Sequence, residues 1–291
     1  MTRRTNSPSR CYGIERREFL RHIAAMSASP TLALRAEGQP GQQPRFSAYP
    51  FTLGVASGDP EPDGVVLWTR LAPQPLESGG MPIEPVPTRW EVADDESFDR
   101  IVRNGVAWAM PQLGHSVHVE VDGLKPQRTY YYRFHAGDAT SPVGRTRTAP
   151  PRDSMPDRLR FAFTSCQHYE SGYFNGYLHM QQEDLDLVLH LGDYIYEQGG
   201  TDKQPRRHVG GELESLDSYR TRYAQYRLDE SLQETHRLFP WLVTWDDHEF
   251  DNNYADRFSE EPDVAVADFL ARRANAYQAY YEHMPLRRRS V

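Results

Sequence analysis

The sequence predicts a parallel α/β sheet in the second half of the chain, preceded by a β-sandwich in the first half. In the second half, short apolar segments alternate with helical segments, which is typical of a parallel sheet covered on both faces. In the first half, short runs of alternating apolar and polar residues are separated by proline and glycine, which favours a sandwich. We therefore expect a leader over residues 1–40, a β-sandwich over 46–150 and an α/β unit over 158–291.

Three segments carry the prediction of the sandwich. Residues 64–72 (GVVLWTRLA) form an apolar strand, and the next two segments show the period-two alternation of half-buried strands. Their inward positions are predicted to be Val117, Val119, Val121, Tyr130, Tyr132 and Phe134. The stretch DGLKPQRTYYYRF resembles the corner before a late strand of fibronectin-like and immunoglobulin-like domains. Residues 143–158, rich in proline and arginine, are the predicted linker.

Three apolar strands with helical segments between them predict the α/β unit. The strands span residues 159–166, 185–193 and 240–247. Helices are predicted over 172–184, over 216–239 (one helix or two) and over 264–284. Because ligands of a parallel sheet bind beyond the carboxyl ends of its strands, these three strand ends are the expected position of a site.

Composition and charge narrow the class of protein. The chain has 291 residues, a net charge of -8 and a pI of about 5.8, which argues against a nucleic-acid-binding surface. No run of about 18 apolar residues is present, which argues against a conventional membrane span. Without the leader, which contains Cys11, Cys166 has no internal disulfide partner, so this lone thiol calls for another explanation.

The leader has the features of an export signal. A basic segment precedes a short, weakly apolar stretch, as in signal peptides. Residues 16–21 (RREFLR) resemble the twin-arginine export motif, although Glu15 replaces the usual serine or threonine. We expect transport by the twin-arginine machinery, cleavage near Ala33 or Ala36 and a periplasmic or extracellular location. A disordered basic tail is the alternative.

Residues able to bind a metal follow each predicted strand of the α/β unit. The first strand ends in residues 165–167 (SCQ), the second in 192–197 (GDYIYE) and the third in 246–249 (DDHE). Carboxylates crowded in this way repel one another unless a cation neutralises them. The sequence therefore predicts a metal centre at the carboxyl edge of the sheet.

Each of these residues also has a purely structural explanation. Cys166 is consistent with an inert buried thiol, Asp193 with a turn or helix cap, and Tyr196 with packing. Asp246 and Asp247 are consistent with a solvated turn. The presence of candidate ligands after three consecutive strands favours the metal centre over these separate explanations.

The motifs at the strand ends resemble those of known phosphatases. GDYIY contains the Gly-Asp-x-x-Tyr motif of the calcineurin-like metallophosphoesterases, and DDHE stands where they have Gly-Asn-His-Glu or Gly-Asn-His-Asp. Their first motif, Asp-x-His, is replaced here by Ser-Cys-Gln. These departures from the general motifs indicate a narrower group. The chain resembles the PhoD-type alkaline phosphatases up to residue 286, and the resemblance also rests on the segments FTLGVASGDPEPDGVVLWTRLAP and TWDDHEFDNNY.

The resemblance implies a layered α/β core of the metallophosphoesterase type behind a fibronectin-like domain, with Fe3+ and Ca2+ as cofactors. Asp193 is then the residue that bridges the two metals. The metal ligands implied or favoured on this basis are Cys166, Asp193, Tyr196, Asp247 and Asn252, with Asn253 as the alternative to Asn252. Without the resemblance, the oxygen-rich cluster suits manganese or magnesium equally well.

The implied activity is hydrolysis of phosphate monoesters, and of diesters in some family members, by metal-activated hydroxide. His248 is expected to protonate the leaving alkoxide or to stabilise the transferring phosphoryl group, with metal ligation and packing as alternatives. His168 is a weaker candidate for the pocket, and His190 is expected to be a core histidine. Residues 206–208 (RRH) are expected in a solvated loop, with phosphate binding as the alternative, and no residue is assigned to substrate binding.

The resemblance also implies further motifs that supply histidine and aspartate ligands after those described above, and no such motif is found before Val291. We therefore expect a truncated, incomplete core with an exposed sheet edge and exposed apolar faces. Two functions remain open. One is an exported metal-dependent phosphatase, and the other is a catalytically inactive chain or a non-enzymatic interaction module.

Overall fold

The fold is built from eleven β-strands and four α-helices in residues 44–200 and 203–288, the part of the chain that the computed structural model describes. The strands are β1 (Val55–Glu61), β2 (Gly64–Arg70), β3 (Val86–Ala93), β4 (Ile101–Ala109), β5 (Ser116–Asp122), β6 (Thr129–Ala136), β7 (Ala139–Thr140), β8 (Gly144–Arg147), β9 (Phe161–Thr164), β10 (Leu187–His190) and β11 (Pro240–Val243). The helices are α1 (Asn175–Met180), α2 (Leu216–Arg227), α3 (Glu230–Leu238) and α4 (Val266–His283). The predicted export motif and cleavage sites lie outside these residues.

The strands form two sheets. The first is antiparallel and has the order β4-β3-β6-β7, with β8 also paired to β6. The second has six strands in the order β5-β2-β1-β11-β10-β9. It is antiparallel from β5 to β1 and parallel from β1 to β9. The predicted α/β class is confirmed, although this sheet is mixed rather than purely parallel. No helix within the described ranges is long and apolar enough to cross a membrane.

The two sheets share a hydrophobic core in the first half of the chain. Alternate residues of β5 and β6 enter this core, as the period-two pattern predicts, because successive side chains of a strand point to opposite faces. The buried residues of these two strands in the core are Val117, Val119, Val121, Tyr130, Tyr132, Phe134 and Ala136. The fibronectin-like character of this part stays a prediction.

The second half forms the predicted parallel strands and most of the predicted helices. Residues 216–239 form two helices rather than one, because the Asp229 carboxylate caps α3 by accepting the N–H groups of Ser231 and Leu232, both at 3.1 Å. The helix predicted over 172–184 is shorter than expected and covers only α1. No side chain caps its start, and Gly176 lowers the helix propensity of its first turn.

The two halves of the sequence share one sheet. In the parallel pairing of β1 with β11, Ser57 lies opposite Pro240 and Gly58 opposite Trp241. A side chain at Gly58 has no space, since a Cβ atom there would lie 2.5 Å from the Pro285 carbonyl oxygen. The predicted linker 143–158 is wrong at its start, because residues 144–147 complete the hydrogen bonds of β6 as strand β8. The domain boundary stays a prediction, but the parts on either side of it contribute to the same sheet.

The end of α4 packs on the strands of the first half. The Trp68 indole N–H donates to the Glu282 carbonyl oxygen at 2.9 Å, and His118 Nε2 lies 2.9 Å from the Met284 carbonyl oxygen. The His118 ring stacks on Tyr281 with 4.4 Å between the ring centroids. His118 is therefore a packing residue of this contact.

One face of the parallel strands is open to solvent. Phe161 and Phe163 on β9 are 49% and 65% exposed, and Leu242 on β11 is 38% exposed. Ala162, between the two phenylalanines, packs against the opposite, buried side of the sheet. The expectation of an exposed apolar face therefore holds for the described residues.

Candidate metal centre

The ends of β9, β10 and β11 lie side by side. The Cys166 N–H donates to the Gly192 carbonyl oxygen and the Gln167 N–H to the Asp193 carbonyl oxygen, both at 3.1 Å. The Thr244 N–H donates to the His190 carbonyl oxygen at 3.0 Å and continues the β10–β11 ladder. The residues that the sequence analysis selected after the three strands are therefore neighbours in space.

Two of these residues have an unusual backbone conformation. Cys166 has a φ angle of 54° and Asp193 one of 55°, in the left-handed region that residues other than glycine rarely occupy. Such conformations persist only where the surroundings hold them, and they cluster at functional sites. The Cys166 side chain is exposed, so the alternative of an inert buried thiol is wrong.

A compact group of ligand atoms comes from Asp193, Asp247 and His248. Each offers one atom, and these atoms lie within 4.8 Å of one another. The Asp193 Oδ2 atom accepts a hydrogen bond from the Tyr196 hydroxyl at 3.0 Å, whereas its buried Oδ1 atom has no hydrogen-bond partner. A buried carboxylate oxygen without a partner is costly, and a cation would neutralise it. The donor set therefore fits a metal ion.

The Tyr196 phenol packs between two histidine rings. Its ring centroid lies 4.1 Å from that of His248 and 4.4 Å from that of His168. Burial raises the pKa of Tyr196 far above its usual range, and the nearby negative charges of Asp193 and Cys166 raise it further. A phenolate here therefore requires a cation as counter-charge.

His248 is oriented by a buried glutamate. The His248 Nδ1 atom lies 2.8 Å from Glu197 Oε2, and the Glu197 side chain is fully buried. Because a carboxylate only accepts, Nδ1 carries the hydrogen and Nε2 remains for a ligand. Burial lowers the pKa of His248, but the hydrogen bond and charge of Glu197, together with Asp193 and Asp247, outweigh it and raise the pKa.

A second buried glutamate, Glu249, joins two strand ends. Its Oε2 atom accepts the N–H groups of Asp193 at 3.0 Å and Asp246 at 2.6 Å, and its Oε1 atom accepts that of Tyr194. Burial raises the pKa of Glu249 to about 8, against the three N–H donors, which lower it. The negative charge of Asp193 raises it further, so a cation beside Asp193 would favour the ionised form.

The loop after β11 is ordered by its own side chains. Asp247 Oδ2 accepts the Asn253 N–H at 2.6 Å. The side-chain amides of Asn252 and Asn253 both donate to the Glu260 carboxylate, and the Asn252 N–H donates to Glu197 at 3.2 Å. Asn252 thus contacts the site through its main chain, while its side-chain NH2 group faces Glu260.

The loop over residues 203–212 differs from the expected solvated segment. The Arg206 guanidinium donates to Asp229 at 2.7 Å and to the Tyr169 carbonyl oxygen at 2.9 Å, and it packs on the Tyr169 ring. The His208 side chain is buried and its Nε2 atom lies 3.1 Å from the Tyr226 hydroxyl. The prediction of a solvated loop is wrong for these two residues, because both are anchored to neighbouring elements.

Sequence reasoning missed the roles of Glu197 and Glu249. Each directly follows a candidate site residue, Tyr196 or His248, inside a motif that was selected. Both glutamates were therefore visible in the motifs. The order of residues along the chain does not tell which acidic side chains are buried and position the other site residues by hydrogen bonds.

The fold and the site define a mixed α/β protein with an acidic candidate metal centre at the carboxyl edge of its parallel strands. The model of the PhoD-like phosphatase family matches residues 161–291, and the model of the N-terminal domain of PhoD-like phosphatases matches residues 36–150. The chain belongs to the PhoD-like phosphatase family.

Individual relatives agree with this membership. The chain is 54% identical to alkaline phosphatase D of Bacillus subtilis over 282 residues, which cover 94% of this chain and 48% of that protein. A solved structure of PhoD matches 84% of this chain and 48% of its own with a TM-score of 0.82 and 57% identity. Purple acid phosphatase 23 of Arabidopsis thaliana is 33% identical over 85 residues, 27% of this chain and 18% of that protein. The chain thus spans about half the length of alkaline phosphatase D.

Proposed function

We propose that this chain is a metal-dependent phosphatase that hydrolyses phosphate monoesters, with diesters as its second substrate class. The observation that supports this most directly is the group formed by Asp193, Asp247 and His248, in which a buried carboxylate oxygen lacks a partner. The similarity to alkaline phosphatase D supports the type of reaction.

The proposed metals are Fe3+ and Ca2+. We assign Cys166, Asp193 and Tyr196 to the iron, because thiolate and phenolate are suitable ligands for a trivalent ion. We assign Asp247 and the Asn252 carbonyl to calcium, which prefers oxygen ligands. When bound, the two ions supply positive charge for the phosphoryl oxygens and lower the pKa of water.

The protein residues contribute position and proton transfer. Phosphoryl transfer depends mainly on positioning and electrostatic stabilisation. Glu197 holds the Nδ1–H of His248, so Nε2 is free to face a substrate oxygen. In the protonated form His248 gives a proton to the leaving alkoxide, and its positive charge stabilises the transferring phosphoryl group.

The proposed route to this function is export by the twin-arginine machinery to a periplasmic or extracellular location. The support is the basic leader with its RREFLR motif at residues 16–21. Fusion of residues 1–40 to a reporter that is active only after twin-arginine export tests this, with Arg16→Lys and Arg17→Lys together as the control. Export that persists in the control would refute it.

The first test of the activity is metal analysis of the purified chain with a p-nitrophenyl phosphate assay on the same sample. Bound iron and calcium with turnover would support the phosphatase. Metal-bound but inactive protein would favour the non-catalytic alternative, and metal-free, inactive protein would refute the proposed centre.

Variants test the ligand assignment. We expect Cys166→Ala and Asp193→Ala each to lose bound iron and activity, because both remove an assigned ligand. Asp186→Ala is the matched control, since Asp186 precedes β10 at its amino end, where its carboxylate accepts the Arg160 main-chain N–H and pairs with the Arg147 guanidinium. Unchanged iron content in both ligand variants would overturn the assignment.

A further inference from the structure

The Glu249 carboxylate joins the two chain segments that carry the candidate ligands. Its side chain is fully buried, and its two oxygens accept three main-chain N–H groups, two from the end of β10 and one from the end of β11. Both oxygens are therefore occupied by donors. Glu249 is poorly placed to bind a metal itself, in contrast to Asp193, whose Oδ1 atom has no hydrogen-bond partner.

The two segments meet beyond the end of their ladder. The Thr244 N–H donates to the His190 carbonyl oxygen, and the next hydrogen bonds between these segments in the part of the chain that the structure describes run through Glu249. Gly192 lies against Asp246 so closely that a Cβ atom on it would be 2.5 Å from the Asp246 Cβ atom. This contact by itself sets a distance but supplies no hydrogen bond.

The conformation of Asp193 requires a restraint. Its φ angle of 55° is unfavourable for an aspartate, and its carboxylate lies close to a second negative group, Asp247. Both effects oppose the arrangement in which the two aspartates approach each other. The N–H···O bonds from Asp193 and Tyr194 to Glu249 hold the main chain at Asp193, where the φ angle is unfavourable, and at the next residue.

We infer that Glu249 is a positioning residue that fixes Asp193 relative to the segment 246–248 and so assembles the metal site before the metal binds. This inference rests on the proposed metal-dependent function. Glu249 acts through the main chain of Asp193 and Asp246 and contacts neither metal nor substrate. Its loss should therefore weaken metal binding without removing a ligand.

Glu249→Gln is the variant that tests this. Glutamine has nearly the same volume, but it replaces one acceptor oxygen with an NH2 group that faces an N–H donor. We expect calcium to bind about 10- to 100-fold more weakly, the effect typical of residues that orient metal ligands. The measurement is calorimetric titration of the purified full chain with Ca2+.

The matched control is Glu282→Gln. The Glu282 side chain is also fully buried and bonds to Arg220 at 2.6 Å, but it makes none of the hydrogen bonds at the strand ends. We expect a lower melting temperature with unchanged calcium affinity. If both variants lose calcium affinity in proportion to their loss of stability, Glu249 has only a structural role.

A measurement on the unmodified chain covers the case in which Glu249→Gln does not fold. We expect the amide hydrogens of Asp193, Tyr194 and Asp246 to exchange slowly in excess EDTA, as followed by NMR, because Glu249 binds them without metal. Exchange at the rate of open loops would overturn the inference. If the unmodified chain binds no calcium, the proposed function fails, while slow exchange would still show the pre-assembled arrangement.

Discussion

At the scale of single residues, Asp193 shows the conflict between stability and a metal site. Its carboxylate is buried, stands near Asp247 and leaves one oxygen without a hydrogen bond. In the metal-free protein these features destabilise the folded chain, because the hydrogen bond from Tyr196 satisfies only one of the two oxygens of a buried carboxylate. Under the proposed function, a bound cation would offset this cost.

This conflict predicts that Asp193→Asn stabilises the metal-free protein while it abolishes metal binding. The asparagine oxygen can still accept the Tyr196 hydroxyl, but the buried charge is removed. We expect a gain of about 1 kcal/mol in the free energy of unfolding, measured with urea in EDTA.

Asp251→Asn is the control, and we expect it to change the free energy of unfolding in the opposite direction. Asp251 is also buried, but it pairs with Arg272 at 2.9 Å and with Ser259 at 2.8 Å. Removal of its charge should destabilise the chain. A metal-free Asp193→Asn protein that is less stable than the unmodified chain would contradict the argument.

Because of His118, we expect the free energy of unfolding to decrease in mild acid. Burial lowers the pKa of His118 to about 4 from its usual 6.5, an effect only partly offset by its hydrogen bond to Met284. Above pH 6.5 the ring is neutral in both states, and between 6.5 and 4 the unfolded chain binds the proton first. The folded chain therefore loses stability as the pH falls through this window.

The measurement compares the unmodified chain with His118→Gln by urea unfolding at pH 7.5 and pH 5. We expect the stability of the unmodified chain to fall by about 2 kcal/mol more than that of the variant, since each pKa unit is worth about 1.4 kcal/mol. Parallel losses in the two proteins would exclude His118 as the cause.

At the scale of elements, the pairing of β1 with β11 depends on Gly58. A side chain there would collide with the Pro285 and Trp241 carbonyl oxygens, at 2.5 Å and 2.8 Å from its Cβ atom. We expect Gly58→Ala to lower the free energy of unfolding by about 1–3 kcal/mol through the forced shift of the backbone. Thermal unfolding of the purified variant measures this.

Gly176→Ala is the control for the effect of glycine itself. Gly176 lies in α1, and nothing lies within 4 Å of a Cβ atom placed on it. Because alanine favours helix, we expect a gain of about 0.5 kcal/mol. A similar loss in both variants would mean that the collision at Gly58 is not the cause.

The strands also show which parts of the fold could be predicted from the sequence. The parallel strands β9, β10 and β11 were predictable because each lies in a nearly continuous apolar run. Strands β5 and β6 were predictable because inward apolar residues alternate with more polar or more exposed ones along both. The pairing of β1 with β11 was not, because the sequence VASGDPE of β1 lacks a strand pattern and its partner is distant in the chain. At the site, the order of the strands along the chain indicated which residues meet. Only the structure distinguishes Glu249, which holds the main chain, from Asp247, which belongs to the candidate metal site.

At the scale of the whole molecule, the first and second halves are expected to depend on each other for folding. Trp68 and Ala224 belong to one hydrophobic cluster, and the β11 edge is covered by β1. Separation of the halves would expose this cluster and leave an unpaired strand edge on each side.

We therefore expect residues 44–150 and 158–291, expressed separately, to aggregate, and to become soluble when they are produced together. Size-exclusion chromatography of the separate and co-expressed chains is the measurement. A monomeric, folded fragment 158–291 would contradict this expectation and would show that the parallel strands do not require β1.

The position of β1 in the sheet has a consequence during synthesis. Gly58 leaves the ribosome about 180 residues before Trp241, its partner on β11. At typical rates of translation the β1 edge then waits roughly 10–40 s for its neighbour. During this time the open edge of β1 could pair with another nascent chain. The Gly-Asp-Pro-Glu end of β1 disfavours such pairing, because proline and charged residues make a strand edge a poor template for another strand. The Gly, Asp, Pro and Glu residues that give β1 no recognisable strand pattern are thus the ones that keep its edge unpaired until β11 is synthesised.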